Sequence, residues 1–97
     1  MKHLSYTELQ KMQQTDTPLQ LIDVREPDEH TAYNIGGALI PLGVLLRHPE
    51  KIARDRPVIL YCKRGIRSQL AIQRLTSRLP EVDFYNLTNG IYALFHG

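Results

Sequence analysis

Val58-Ile59-Leu60-Tyr61-Cys62 is an unbroken run of β-branched, aromatic and apolar residues with no alternation of polar and apolar positions. A strand wetted on one side alternates. One that does not alternate is covered on both faces, and sheets covered on both faces are mostly parallel ones clothed by helices. The run therefore predicts a central strand of an α/β domain. It passes directly into Lys63-Arg64-Gly65-Ile66-Arg67-Ser68, and "SQLAIQRLTSRL" from Ser68 onward has the spacing of an amphipathic helix, with Ala71, Leu75 and Leu79 at four-residue steps, Ile72 beside them, and Arg74 and Arg78 outward. Pro80 ends that helix.

The rest of the chain alternates in the same way. Ser5-Tyr6-Thr7-Glu8 has capping-box spacing, so a helix is expected from Tyr6 to Gln14. Leu19 to Val24 reads as a buried strand, and Pro27 suits the first turn of a short helix that Gly36-Gly37 stops. Ala38 to Ile40 is a short strand, and the helical pattern after it is interrupted at Pro49. Val82 to Leu87 is a further strand, followed by a turn at Asn89-Gly90 and a short terminal helix. Strands alternating with helices predict a small parallel β-sheet flanked by helices on both faces. At 97 residues the chain has room for one core, and a single domain over residues 1–97 is expected.

No apolar stretch approaches the roughly 20 residues a membrane-spanning helix needs, and "MKHLSYTELQ" has no apolar secretory core. One cysteine permits no internal disulfide, which fits a reducing compartment, so a cytoplasmic location is expected. The net charge of +2 hides an asymmetry: residues 1–46 hold three basic and six acidic side chains, whereas residues 47–78 hold nine basic ones against Glu50 and Asp55. The aromatic-interleaved and groove-reading patterns of nucleic-acid binders are missing, so a small anion is the expected partner of the cationic segment. His3, His30, His48 and His96 lack close ligand spacing; no metal and no cofactor are expected. Tyr61, Tyr85 and Tyr92 read as core, and His30 as a solvated loop residue or part of the site's rim.

The lone thiol is the candidate reactive group. A loop that closes from a strand into a helix turns backbone N–H groups inward and adds the positive end of the helix dipole. A free thiol ionises near ~8.5, and helix N-termini with neighbouring cations bring that to between ~3.5 and 7.5. Cys62 is thus expected to be a thiolate nucleophile. Gly65 serves close backbone approach or positive φ, Arg67 offers a fork of donors to loop carbonyls or substrate oxygens, Ser68 caps the helix, and Lys63 and Arg64 attract an anion. A lone cysteine at a strand end is by itself most often a small core residue. The spacing Cys-x-x-Gly-x-Arg-Ser at a strand-to-helix junction is what favours catalysis.

With these residues in place the chain resembles the rhodanese family of sulfurtransferases in its single-domain form. "LIDVREPDEHTAYNIGGALIPL", with Asp23-Val24-Arg25 and Glu29, is similar to the family's first signature; "VILYC" matches the strand leading to its active loop, and "YNLTNGIYAL" its closing signature. The resemblance implies that Cys62 takes the outer sulfur of a donor such as thiosulfate, carries it as a persulfide and passes it to cyanide or a thiol, including a protein thiol. It implies that residues 63–67 form the backbone cradle, Ile66 included, and that Asp23 and Arg25 stand behind the site, with Arg25 ion-paired. The sequence departs from the family pattern at Asn34, where His is common, at Asn89 before Gly90, where a second glycine is common, and in having no Trp.

Two other readings stay open at this stage. Cysteine phosphatases and arsenate reductases share the strand–loop–helix arrangement with five residues between Cys and Arg; four intervene here, Lys63 to Ile66, a tighter cradle. A non-catalytic module could use the same fold to bind a protein.

Overall fold

The computed structural model describes residues 1–96. Five parallel strands form one sheet in the order β1-β5-β4-β2-β3. In chain order these are β1 (Lys2–Leu4), α1 (Tyr6–Gln14), β2 (Gln20–Asp23), α2 (Pro27–Ala32), β3 (Ala38–Leu39), α3 (Leu42–Arg47), a 3-10 turn (Pro49–Lys51), β4 (Val58–Tyr61), α4 (Ile66–Thr76), β5 (Phe84–Leu87) and α5 (Tyr92–His96). Among these residues no helix is long and apolar enough to cross a membrane.

β4 is central, pairing with β2 from Gln20↔Val58 to Asp23↔Tyr61 and with β5 from Val58↔Phe84 to Leu60↔Asn86. Its missing alternation has the expected cause. Val58, Leu60 and Cys62 pack on one face with Leu45 of α3 and Ala71, Ile72 and Leu75 of α4; Ile59 and Tyr61 pack on the other with Leu9 of α1, Leu87 and Ile91. All four β4 side chains are buried, each removing of order 1.5–3 kcal/mol worth of apolar surface from water.

α1 has the bounds its capping box predicts: Ser5 Oγ accepts from Glu8 N–H at 3.1 Å, and Glu8 Oε1 from Ser5 N–H at 2.9 Å. Three differences stand out. β1 is absent from the sequence reading because only Leu4 of its residues is buried, and the strand exists by pairing Lys2, His3 and Leu4 with Tyr85, Asn86 and Leu87. α4 begins at Ile66 rather than Ser68, because Gly65 adopts φ +86° and turns the chain into the helix two residues sooner. It ends at Thr76, short of Pro80, although Leu79 N–H still reaches Leu75 O at 2.8 Å.

Candidate active site

The carboxyl ends of parallel strands are where such sheets place their ligands. Cys62 follows β4 directly, and the four-residue turn Cys62 to Gly65 delivers the chain into α4. The loop's carbonyls are tied from behind. Ile91 N–H donates to Cys62 O and Lys63 O, each at 3.1 Å, and Tyr92 N–H donates to Lys63 O at 3.0 Å. The approach is so close that a Cβ on Gly90, itself at φ +64°, would lie 2.4 Å from Lys63 O and 2.5 Å from Cys62 O. With the carbonyls held outward, amides face the sulfur.

Cys62 Sγ accepts from Gly65 N–H at 3.1 Å and Ser68 N–H at 3.4 Å, and lies 3.3 Å from Ser68 Oγ. Ser68 Oγ donates its one hydrogen to Asn86 Oδ1 of β5. These are the first amides of an 11-residue helix, so the sulfur sits in the positive field of the α4 terminus. Cys62 is 1% exposed. It is the buried member of a cleft of about 260 Å³ whose other walls are Lys63, Arg64, Ile66 and Arg67.

Two expected roles are corrected. Ser68 does not cap α4; Gly65 occupies that position, and Ser68, three residues in, is fully buried with its hydroxyl between the sulfur and Asn86. Arg67 holds neither loop carbonyls nor an open fork. Its two terminal nitrogens lie 2.7 and 2.8 Å from the two carboxylate oxygens of Glu29 on α2, a bidentate pair across the cleft wall. Lys63 and Arg64 form no salt bridge among the described residues and lie over the Tyr92 ring, at 5.1 and 4.4 Å from its centroid.

Asp23 and Arg25 are fully buried. Asp23 Oδ1 accepts from Arg25 N–H and Nε, both at 3.0 Å, and Asp23 Oδ2 from Arg25 Nη2 at 2.9 Å. His30 Nδ1 lies 2.8 Å from the same Oδ2, and Arg25 Nη2 also donates to Tyr33 O at 2.6 Å. Neither residue hydrogen-bonds Cys62. They reach the site through α2, whose successive residues Glu29 and His30 engage Arg67 and Asp23. His30 is therefore an anchor rather than a solvated loop residue. Burial, with the Asp23 charge beside it, pushes the Tyr61 phenol up to about 12, so it stays a neutral donor to Gly36 O at 2.8 Å.

Glu29 and Asn86 are the participants whose roles the sequence did not reveal. Glu29 also receives Glu26 N–H at 3.0 Å, so one carboxylate closes the first turn of α2 and locks Arg67. Hydrogen bonding from Arg67, opposed by partial burial and aided by Glu26 N–H, holds its carboxyl at about 2 against an ordinary 4.5. A depressed carboxyl stabilises the fold fully above its unfolded value and ceases to as pH falls through its folded one. We expect Glu29→Gln to be less stable than the parent above pH 4.5, with the gap closing as pH falls towards about 2. Urea unfolding across that window measures it, and a gap that does not change with pH refutes it.

The sequence matches the family model described as Rhodanese-like domain over residues 5–95. It is 44% identical over 72 residues to the protein YqhL of Bacillus subtilis, covering 73% of this chain and 56% of that one, so it spans little more than half of that relative. It is 33% identical over 92 residues to the thiosulfate sulfurtransferase GlpE of Coxiella burnetii, covering 93% of this chain and 80% of that protein. Among solved structures, the rhodanese-like domain protein of Staphylococcus aureus superposes with a TM-score of 0.84 at 24% identity over 96% of this chain and 90% of that one, a likeness of fold.

Proposed function

Because this chain belongs to the rhodanese-like domain family, we propose that it is a sulfurtransferase moving a sulfane sulfur from an anionic donor such as thiosulfate to a thiophilic acceptor through a persulfide on Cys62. Relatives named as sulfurtransferases support the class of reaction. The observation that carries the reading is the convergence of two backbone amides, Gly65 N–H and Ser68 N–H, on one sulfur at a helix N-terminus, in a cleft also lined by Lys63 and Arg64, which have no acidic partner among the described residues. Such donors stabilise negative charge on sulfur.

In the first half-reaction the Cys62 thiolate attacks the outer sulfur of thiosulfate, the donor's S–S bond breaks, and sulfite leaves with the electron pair. In the second, the acceptor attacks the terminal sulfur of the persulfide and the pair returns to Sγ. Lys63 and Arg64 draw the dianion to the cleft, and residues 63–67 furnish its backbone wall. Arg67 positions the loop through Glu29 rather than gripping substrate. A phosphoryl-transfer reading gains no support, since the fork such a site needs is already occupied by a carboxylate. Residues 1–97 act as one domain in this reading, in the cytoplasm, where a single free thiol stays reduced.

One observation favours a second reading, a non-catalytic binding module: the 1% exposure of Cys62. Intact-mass measurement after incubation with thiosulfate separates the two. Sulfur transfer gives one added sulfur that cyanide removes as thiocyanate, while an unmodified mass with thiosulfate and with other persulfide donors leaves only the module.

A further inference from the structure

Ile66 is 72% exposed although it stands at the mouth of the cleft, and Leu70, one turn along α4, is 38% exposed. Scattered apolar residues are ordinary on a surface, whereas a contiguous strip beside a reactive group is not. Ile66, Gln69, Leu70 and Gln73 line a groove of about 300 Å³, and Ile66 also lines the cleft that reaches Cys62, so the two depressions adjoin across the Ile66 side chain. Nothing in recognising a small dianion calls for this apolar wall.

The surroundings of the strip carry one sign of charge. Lys63 and Arg64 precede it, Arg74 follows Leu70 by four residues on the same helix face, and residues 56–80 contain no acidic side chain. Arg67, the remaining cation of that stretch of helix, is neutralised by Glu29. A surface with two apolar side chains, two flexible amides and cations at both ends complements a peptide with apolar and acidic residues.

We propose that the Ile66–Gln73 face of α4 docks a protein acceptor whose cysteine lies in a segment bearing a neighbouring apolar residue and acidic flanks. This rests on the sulfur-transfer reading and assigns its second substrate. The deprotonated acceptor thiol attacks the outer sulfur of the Cys62 persulfide, the Sγ–S bond breaks with its electron pair returning to Sγ as the thiolate, and the acceptor leaves as the persulfide anion R–S–S⁻. No oxidant or reductant is consumed. Since sulfite has departed by then, Lys63 and Arg64 serve the donor and the acidic segment in turn.

The test uses the full chain loaded from thiosulfate and two synthetic cysteine peptides, one with Leu and Glu flanks and one with Gly and Lys flanks, with cyanide as a small acceptor. The Leu/Glu peptide is expected to discharge the persulfide with a kcat/KM about tenfold higher. Leu70→Glu, which places a like charge on the strip, should erase that preference while leaving persulfide loading and cyanide turnover unchanged; Leu70→Met should keep it. Absence of any loading defeats the sulfur-transfer reading itself. Normal loading and cyanide discharge with no peptide preference, or with a preference indifferent to Leu70→Glu, overturns the docking inference alone. So does a strip that proves to hold a second copy, seen as a dimer in sedimentation that Leu70→Glu dissociates, or one that binds a short oligonucleotide without affecting peptide transfer.

Discussion

Cys62→Ser is expected to lower sulfur transfer by at least about 10³-fold and to abolish the added-sulfur mass, because a serine hydroxyl is neither appreciably ionised at neutral pH nor able to form a persulfide. Its effect on stability follows from where the sulfur sits. Cys62 belongs to the core cluster with Leu60, Ala71 and Leu75, yet its Sγ accepts two backbone N–H groups. Serine keeps an acceptor for those amides and costs of order 1 kcal/mol. Cys62→Ala removes the acceptor and leaves buried donors unpaired, at about 1–3 kcal/mol, so the alanine variant should be the less stable of the two. Thermal melts rank the variants and a cyanide discharge assay reads the activity. Parental turnover in the serine variant would remove Cys62 from the mechanism.

That ordering depends on contacts that no local pattern announces. The features legible in the sequence are those decided within a few residues. The Ser5–Glu8 box sets the start of α1, the unbroken apolar run makes β4 central, and Gly65 takes the positive φ its place in the loop required. What escaped was decided between elements. Glu29 and Arg67 are 38 residues apart and meet only when α2 and α4 pack at the same end of the sheet. Asn86 looks like an ordinary strand residue until β5 sets it beside Ser68, and β1 has too little apolar character to be recognised without its partner β5. At Arg67 the charge and position are legible in the sequence, but a carboxylate from elsewhere determines what its fork does.

The second large effect concerns the buried pair behind the site. Asp23 receives two hydrogen bonds from the Arg25 guanidinium through Nε and Nη2, another from Arg25 N–H, and faces His30 Nδ1, all with no solvent access to either charged side chain. Removing one member of such a pair strands the other's charge in the interior. Asp23→Ala is expected to cost about 3–5 kcal/mol, a large part of the 5–15 kcal/mol available to a domain of this kind. At about 4–8 °C per kcal/mol for this size, the melting temperature should fall by roughly 12–40 °C. Replacing both residues together, Asp23→Leu with Arg25→Met, removes the stranded charge and should recover much of that loss, because paired burial contributes little net stability over an apolar filling. The double variant then isolates what the pair does for the reaction. If it only supports the fold, persulfide loading returns with stability. If it also aims α2, loading stays impaired in a well-folded protein, since α2 carries the Glu29 that fixes Arg67 at the cleft. We expect the second outcome: His30 loses its anchor on Asp23 in the double variant, and His30 is the residue next to Glu29. Melting and intact mass on the same two samples decide between them.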